Sequence, residues 1–156
     1  MSLDQMLPAP APIVNPEVKV FWDATTQGRL LLPRCDNCQT VIWYPRPFCV
    51  ECASTRVSWF EASGRGTIYS YTMNRRGGAN HPDFKATGPY VLAYVELDEG
   101  PRVLTNIVEC DPAEVKIGQA VDVVLQLEVN RLIARRAHLD VERQSVFHHD
   151  QRLLRQ

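Results

Sequence analysis

Four cysteines, arranged as two Cys-x-x-Cys pairs, are the residues of this chain most suited to chemistry. Cys35 and Cys38 form the first pair, and Cys49 and Cys52 form the second after an interval of ten residues. Four thiolates at this spacing suit a tetrahedral zinc ion. Two disulfides or unliganded thiols are the alternatives. A redox-active pair would need only one Cys-x-x-Cys, set in a βαβ pattern that the sequence lacks. We therefore predict a zinc ribbon.

The chemistry expected of this zinc is structural. Catalytic zinc keeps one coordination position open for water or substrate, whereas four cysteines fill the shell. A segment of this size buries too little apolar surface to be stable alone, and metal binding supplies on the order of 10 kcal/mol to such a unit. Function must then be sought in the residues around the ribbon.

The candidates for ligand contact around the ribbon are aromatic and cationic side chains. An aromatic pair lies on a predicted amphipathic helix, where it either packs onto the ribbon or walls a groove. An arginine between two prolines, and two arginines before a long glycine-rich loop at 77–88, either meet phosphates or are simply solvated. A phenylalanine in that loop is free to cover a ligand. These six residues are Phe21, Trp22, Arg46, Arg75, Arg76 and Phe84.

Composition narrows the class of protein. The 156 residues carry a formal net charge of −1 and are 45% hydrophobic, which is typical of a globular domain and unlike the basic footprint of most nucleic-acid binders. No apolar run reaches the roughly 18 residues of a transmembrane helix, and the N-terminus lacks the regions of a signal peptide. Five cysteines, four of them in metal spacing, fit a reducing cytoplasm. We expect a cytoplasmic protein with no membrane contact.

The elements that position these residues are mainly β. Asn15, Pro16 and Gly28 bound a short helix: asparagine as a side-chain N-cap, proline in the first turn and glycine just past the end. After residue 62 the apolar period changes to two, which predicts strands at 67–73, 90–97, 102–110, 121–129 and 132–139. A short helix is expected from Asp111 to about Ile117, between the third and fourth of these strands. That order is the order of a five-stranded OB barrel.

The predicted organisation has five parts. A proline-rich arm precedes the helix, and a charged tail follows the barrel. The boundaries are the arm at 1–15, the helix at 16–28, the zinc ribbon at 29–61, the OB barrel at 62–139 and the tail at 140–156.

Several short motifs together resemble one known family. They are Phe21-Trp22, Gly28-Arg29-Leu30, the two cysteine pairs, Pro45-Arg46-Pro47, the segment 62–67 (Ala-Ser-Gly-Arg-Gly-Thr) and Pro89-Tyr90-Val91. They are similar to the acyl-CoA-associated zinc-ribbon/OB-fold family, formerly catalogued as a domain of unknown function. The resemblance covers roughly residues 16–139.

The resemblance implies a rubredoxin-like zinc ribbon followed by an OB barrel. It also implies a non-catalytic subunit beside a thiolase-like, hydratase or aldolase enzyme that handles CoA thioesters in lipid, steroid or polyketide-type metabolism. In that family the helix, ribbon and barrel form a channel for the pantetheine arm or acyl group. All four cysteine ligands carry over, and no catalytic residue does.

Three functions remain open from the sequence. The first is an accessory subunit that binds acyl-CoA or scaffolds a partner enzyme. The second is a single-stranded nucleic-acid module that uses Tyr69, Tyr71 and Tyr90 for stacking. The near-neutral charge argues against this second function. The third is a free-standing enzyme acting on thioesters, for which no nucleophile–base motif is evident.

Overall fold

The computed structural model describes residues 13–75, 88–126 and 131–136, the last range as backbone only. The arm up to residue 12, most of the glycine-rich loop and the tail from residue 140 lie outside the described residues, as do Arg76 and Phe84. In the described part of the chain, no helix is long and apolar enough to cross a membrane.

The N-terminal helix is shorter than predicted. A 3-10 turn at Pro16–Val18 leads into α1 (Lys19–Thr25). The expected side-chain cap is wrong: Asn15 makes no capping hydrogen bond with its side chain, and its carbonyl closes the first turn instead. Gly28 ends the helix as predicted, with φ of 73° and its N–H donated to the carbonyl of Thr25 at 3.1 Å.

The ribbon contains two antiparallel strands, β1 (Leu31–Cys35) and β2 (Val57–Glu61). Their register places Leu31 opposite Glu61. Between the two cysteine pairs, one isolated bridge joins Arg34 to Val41.

The second unit is a closed barrel of five strands in the order β3-β4-β5-β7-β6. All its neighbours are antiparallel except β5 and β7. This order, with one parallel pair, is that of an OB barrel and confirms the predicted fold. The strands are β3 (Arg65–Asn74), β4 (Tyr90–Leu97), β5 (Arg102–Val108), β6 (Ala120–Gln126) and β7 (Arg131–Arg136).

The helix expected between β5 and β6 is only a 3-10 turn, Pro112–Glu114. Asp111 caps this turn as predicted, its carboxylate accepting the N–H of Ala113 at 2.9 Å. Val115 already has extended backbone, and Gly118 follows with φ of 82°, so the segment has no room for a full α-helical turn.

One apolar core joins the ribbon unit to the barrel. Phe21 of α1, Leu30 just before β1 and Leu32 of β1 lie in the same cluster as the barrel interior. Its barrel members include Ile68, Val91, Val95, Val103, Ile107 and Val121. A second, small cluster contains Cys35, Ile42 and Cys49, with Val57 packed against it.

Gly66 lies in β3 at a close approach to the neighbouring strand β4. A Cβ at this position would stand 2.6 Å from the carbonyl oxygen of Glu96 and 2.8 Å from Cγ1 of Val95. We predict that Gly66→Ala lowers the free energy of unfolding by about 1–3 kcal/mol, because backbone must shift to admit the methyl group. Denaturant unfolding measures the change. Thr67→Ala, at the exposed neighbouring position, is the control and should differ little from the native chain. Equal stability of the two variants would contradict the prediction.

Candidate metal centre and its surroundings

The two Cys-x-x-Cys pairs fold into the same turn. The carbonyl of Cys35 accepts the N–H of Gln39 at 2.9 Å, and the carbonyl of Cys49 accepts the N–H of Ala53 at 3.0 Å. Gln39 and Ala53 both adopt left-handed backbone, with φ of 62° and 56°. Each costs about 1–2 kcal/mol for a residue other than glycine. The repeated turn brings both cysteine side chains of each pair to one side.

A second pair of backbone bonds anchors the turns. The first cysteine of each pair donates its N–H to a carbonyl five residues ahead, Cys35 to Thr40 at 2.9 Å and Cys49 to Ser54 at 2.8 Å. The two halves of the site are therefore related by an approximate repeat of structure as well as of sequence.

The four sulfur atoms converge. All four Sγ atoms lie within 4.8 Å of one another. Those of Cys35 and Cys52 are 3.6 Å apart, and those of Cys38 and Cys49 are 3.5 Å apart. A zinc–sulfur bond of about 2.3 Å gives a tetrahedron with edges of about 3.8 Å, so the cluster fits a zinc ion. The cysteines are free thiols, which excludes the two-disulfide alternative.

Hydrogen bonds favour the thiolate form at two of the sulfurs. The backbone N–H of Cys38 lowers the pKa of Cys35. The side chain and backbone of Thr40 lower the pKa of Cys38 to about 6. The pKa of Cys49 is raised to about 11: the N–H of Cys52 lowers it, but burial and the neighbouring thiols together raise it by more. Since zinc binds thiolates, a bound ion would supply the positive charge that this crowding of sulfurs requires.

Polar side chains tie the first turn to β2 and to the second pair. Asn37 donates from Nδ2 to the Sγ of Cys52 at 3.6 Å, and Arg56 donates to Oδ1 of the same asparagine at 3.4 Å. The carboxylate of Asp36 accepts the hydroxyl of Ser58 at 2.6 Å.

An aromatic cluster of Phe21, Trp22, Trp43 and Tyr44 joins the helix to the ribbon. Phe21 meets the other three rings edge-on, with centroid separations of 5.0 Å to Trp22, 5.7 Å to Trp43 and 6.0 Å to Tyr44. Phe21 is only 1% exposed and fills the core, whereas Tyr44 is 38% exposed. Trp22 donates from Nε1 to the hydroxyl of Tyr44 at 2.9 Å. Tyr44 is therefore the exposed member of this cluster, and Trp22 and Trp43 are half-buried.

Two of the remaining candidates are exposed arginines on different segments of the chain. Arg46 is exposed two residues after Tyr44, and none of the ion pairs among the described residues includes it. Arg75 is exposed beyond the end of β3. Sequence reasoning did not single out Trp43 and Tyr44 as partners of Phe21. The sequence feature that could have indicated them is that the two aromatic residues lie directly before the proline-flanked Arg46.

The tyrosines proposed for base stacking differ in exposure. Tyr69 and Tyr71 are 49% and 39% exposed on β3. Tyr90 is buried, and its hydroxyl accepts a hydrogen bond from Asn74 at 2.8 Å, so it is not available for stacking. The guanidinium of Arg102 lies 3.5 Å above the ring of Tyr69 and is itself paired with Glu96.

A four-thiol metal site beside a closed OB barrel defines a zinc-ribbon/OB-fold protein. Two family models agree with this description. The one described as "ChsH2, rubredoxin-like zinc ribbon domain" matches residues 22–58, and the one described as "ChsH2, C-terminal OB-fold domain" matches residues 59–126.

Two named relatives identify the family of this chain. The chain is 38% identical over 96 residues to a "DUF35 domain-containing scaffold protein" of Methanothermobacter thermautotrophicus, covering 60% of this chain and 68% of that protein. It is 34% identical over 109 residues to a protein of the same description from Pyrococcus furiosus, covering 69% and 77%. The chain belongs to this DUF35 (ChsH2) zinc-ribbon/OB-fold family, as the sequence motifs predicted.

Other relatives are longer or belong to complexes. The chain is 39% identical over 113 residues to a "Probable enoyl-CoA hydratase alpha subunit" of Thermomonospora curvata, which covers 72% of this chain. The chain spans only 34% of that protein's length. Among solved structures, a chain of "Ltp2-ChsH2(DUF35) aldolase" is 34% identical with a TM-score of 0.67, over 80% of this chain and 98% of that one.

The metal centre makes a direct prediction. Protein purified under reducing conditions should contain one zinc per chain. Cys49→Ser should lose most of the zinc and lower the melting temperature, because Cys49 is both a predicted ligand and part of the small ribbon core. Acidification should release zinc, since protons compete for the thiolates. Elemental analysis and thermal melts measure these effects.

Cys110 provides the matched control, because it is half-buried and lies outside the sulfur cluster. Cys110→Ser should keep its full zinc content. Retention of zinc by Cys49→Ser, or its loss from Cys110→Ser, would show that the metal site is wrongly placed.

Proposed function

We propose that this chain is a non-catalytic accessory subunit that holds an enzyme acting on CoA thioesters. The names of its relatives support the proposal: scaffold proteins of archaea, a hydratase alpha subunit and a partner in an aldolase complex. The partner is a hydratase, aldolase or thiolase-like subunit, and the reducing cytoplasm is the compartment that suits four free thiols.

The closed sulfur cluster is the observation that carries this proposal. Four converging Sγ atoms fill the coordination shell of a zinc ion, which leaves no position for water or substrate. The chain's four histidines, at positions 81, 138, 148 and 149, lie outside the described residues, so the described residues offer no histidine to activate a nucleophile. A structural metal and an OB barrel suit holding a partner better than transforming a substrate.

Co-purification from the native host tests the proposal. Affinity-tagged chain should bring down a hydratase, aldolase or thiolase-like enzyme, and turnover of CoA thioesters should appear in the complex but not with this chain alone. Recovery of the chain by itself, or turnover of acyl-CoA by the purified chain, would overturn the assignment.

We also propose that the chain contacts CoA directly. Arg46 is an exposed cation whose backbone is restrained by Pro45 and Pro47, and it stands near the exposed ring of Tyr44 in sequence. CoA combines phosphates with a slender, amphipathic pantetheine arm. An arginine beside an aromatic surface offers both kinds of contact.

We predict that CoA raises the melting temperature of the chain and that Arg46→Ala reduces this shift. The expected loss is about 1 kcal/mol, or roughly fivefold in affinity, because one exposed charge–phosphate contact disappears. The difference should shrink at high salt. Thermal shift titrations with CoA measure it.

Lys116→Ala is the control for net charge, since Lys116 is an exposed cation on the barrel after the 3-10 turn. It should leave the shift unchanged. Equal shifts for the native chain and Arg46→Ala would exclude Arg46 as a phosphate contact.

A further inference from the structure

The hydrogen-bonding direction of β2 follows from the bonds that flank it. Backbone bonds in an antiparallel pair involve every second residue. The N–H of Ala62 bonds to the carbonyl of Leu30 at 2.8 Å, and the N–H of Asp36 bonds to the carbonyl of Arg56 at 3.0 Å. In the register of β1 and β2, these two pairs bracket the strands. Every second residue inward from Ala62 and from Arg56 therefore bonds to β1. These residues are Phe60 and Ser58, whose backbone N–H and C=O groups face β1.

The opposite edge of β1 confirms this alternation. The carbonyl of Pro33 accepts the N–H of Ile42 at 2.8 Å, and the N–H of Cys35 donates to Thr40 at 2.9 Å. Residues 33 and 35 therefore point away from β2, and the segment at 40–42 pairs with them. The outer edge of β1 is occupied.

Among the described residues, no strand lies beside the outer edge of β2. Val57, Trp59 and Glu61 are the residues whose backbone N–H and C=O groups face away from β1. In the ranges that the structure describes, these groups have no backbone partner. The strand also lacks the proline and lysine that commonly protect exposed edges, and all five of its residues are half-buried or exposed.

We infer that the outer edge of β2 binds an extended segment of the partner enzyme subunit by strand addition. The inference rests on the proposed function. Donors and acceptors that recur every second residue match the backbone of another strand, and this mode of recognition needs no particular side chain in the partner. The occupant is thus an extended peptide.

The proposed function supplies the occupant, because a relative of this chain is solved as part of an "Ltp2-ChsH2(DUF35) aldolase". A five-residue strand paired edge to edge buries far less than the roughly 1,000 Å² that a specific interface needs. The edge therefore serves as one part of a wider contact with the enzyme subunit. Trp59 and Phe60 pack against the main core, so the edge is fixed in place before binding.

Glu61→Pro and Glu61→Ala form a matched pair for the test. Both remove the carboxylate that pairs with Arg29, but only proline removes the outward N–H. Proline is tolerated on an edge strand where its nitrogen faces solvent, so both variants should keep their zinc and similar melting temperatures. The enzyme subunit recovered with the native chain is the probe. Its affinity should fall at least tenfold for Glu61→Pro and less than twofold for Glu61→Ala.

Ser58→Pro supplies the structural contrast, because its N–H faces β1. It should lower the melting temperature strongly. Hydrogen exchange gives an independent measurement: the amides of Trp59 and Glu61 should exchange rapidly in the free chain and become protected in the complex.

Three results would overturn the inference. The first is equal binding by the two Glu61 variants. The second is unfolding of Glu61→Pro to the extent of Ser58→Pro, which would reverse the assigned direction of the N–H. The third is a dimer of the free chain in sedimentation that Glu61→Pro abolishes, which would make a second copy the occupant. If the enzyme is recovered equally with Glu61→Pro and with Glu61→Ala, only strand addition at the β2 edge is contradicted. If no enzyme is recovered even with the native chain, the proposed function itself is contradicted.

Discussion

The convergence of four sulfur atoms is the constraint on which the ribbon depends. The ribbon's own buried cluster contains Cys35, Ile42 and Cys49, so two of its three members belong to the sulfur site itself. So small a cluster cannot offset the conformational entropy lost when the two cysteine turns and the segment between them become ordered. Coordination of a metal takes the place of a core here. The same cysteines therefore determine the shape of the ribbon and exclude a chemical role for the ion.

The barrel supplies the apolar core that the ribbon does not form by itself. Phe21, Leu30 and Leu32 are each at most 1% exposed and belong to the cluster that fills the barrel interior. A helix of seven residues is too short to be stable in isolation, so packing rather than propensity holds α1. The helix and the first strand of the ribbon thus share one core with the barrel, and Tyr44 of the aromatic cluster stays exposed.

Much of this architecture could be predicted from the sequence. The cysteine spacing indicates the metal site because coordination chemistry restricts it, and the five strands follow from an apolar period of two. Two local details differ from the predictions, because the backbone conformation of neighbouring residues decides them. The helix expected after Asp111 is replaced by a 3-10 turn because the chain extends at Val115. Asn15 occupies the predicted N-cap position, but its backbone carbonyl, and not its side chain, accepts the hydrogen bond that closes the turn.

The site was predictable to a lesser degree than the fold. Phe21 was recognised as important, but its burial depends on Trp43 and Tyr44, which lie more than twenty residues away in sequence. The open edge of β2 has no signature in composition, because it results from the register of β1 and β2 and from the lack of a third neighbouring strand in the part of the chain that the structure describes. Such features follow from pairing between distant segments, which a periodic pattern does not encode.

The shared core also has a mechanical consequence. Leu30 and Leu32, where the chain enters the ribbon, are buried in the same cluster as the barrel interior. Bending the ribbon away from the barrel would therefore expose apolar surface to water, at a cost of about 1.5–3 kcal/mol for each large side chain. The junction resists bending in a way that a polar linker would not.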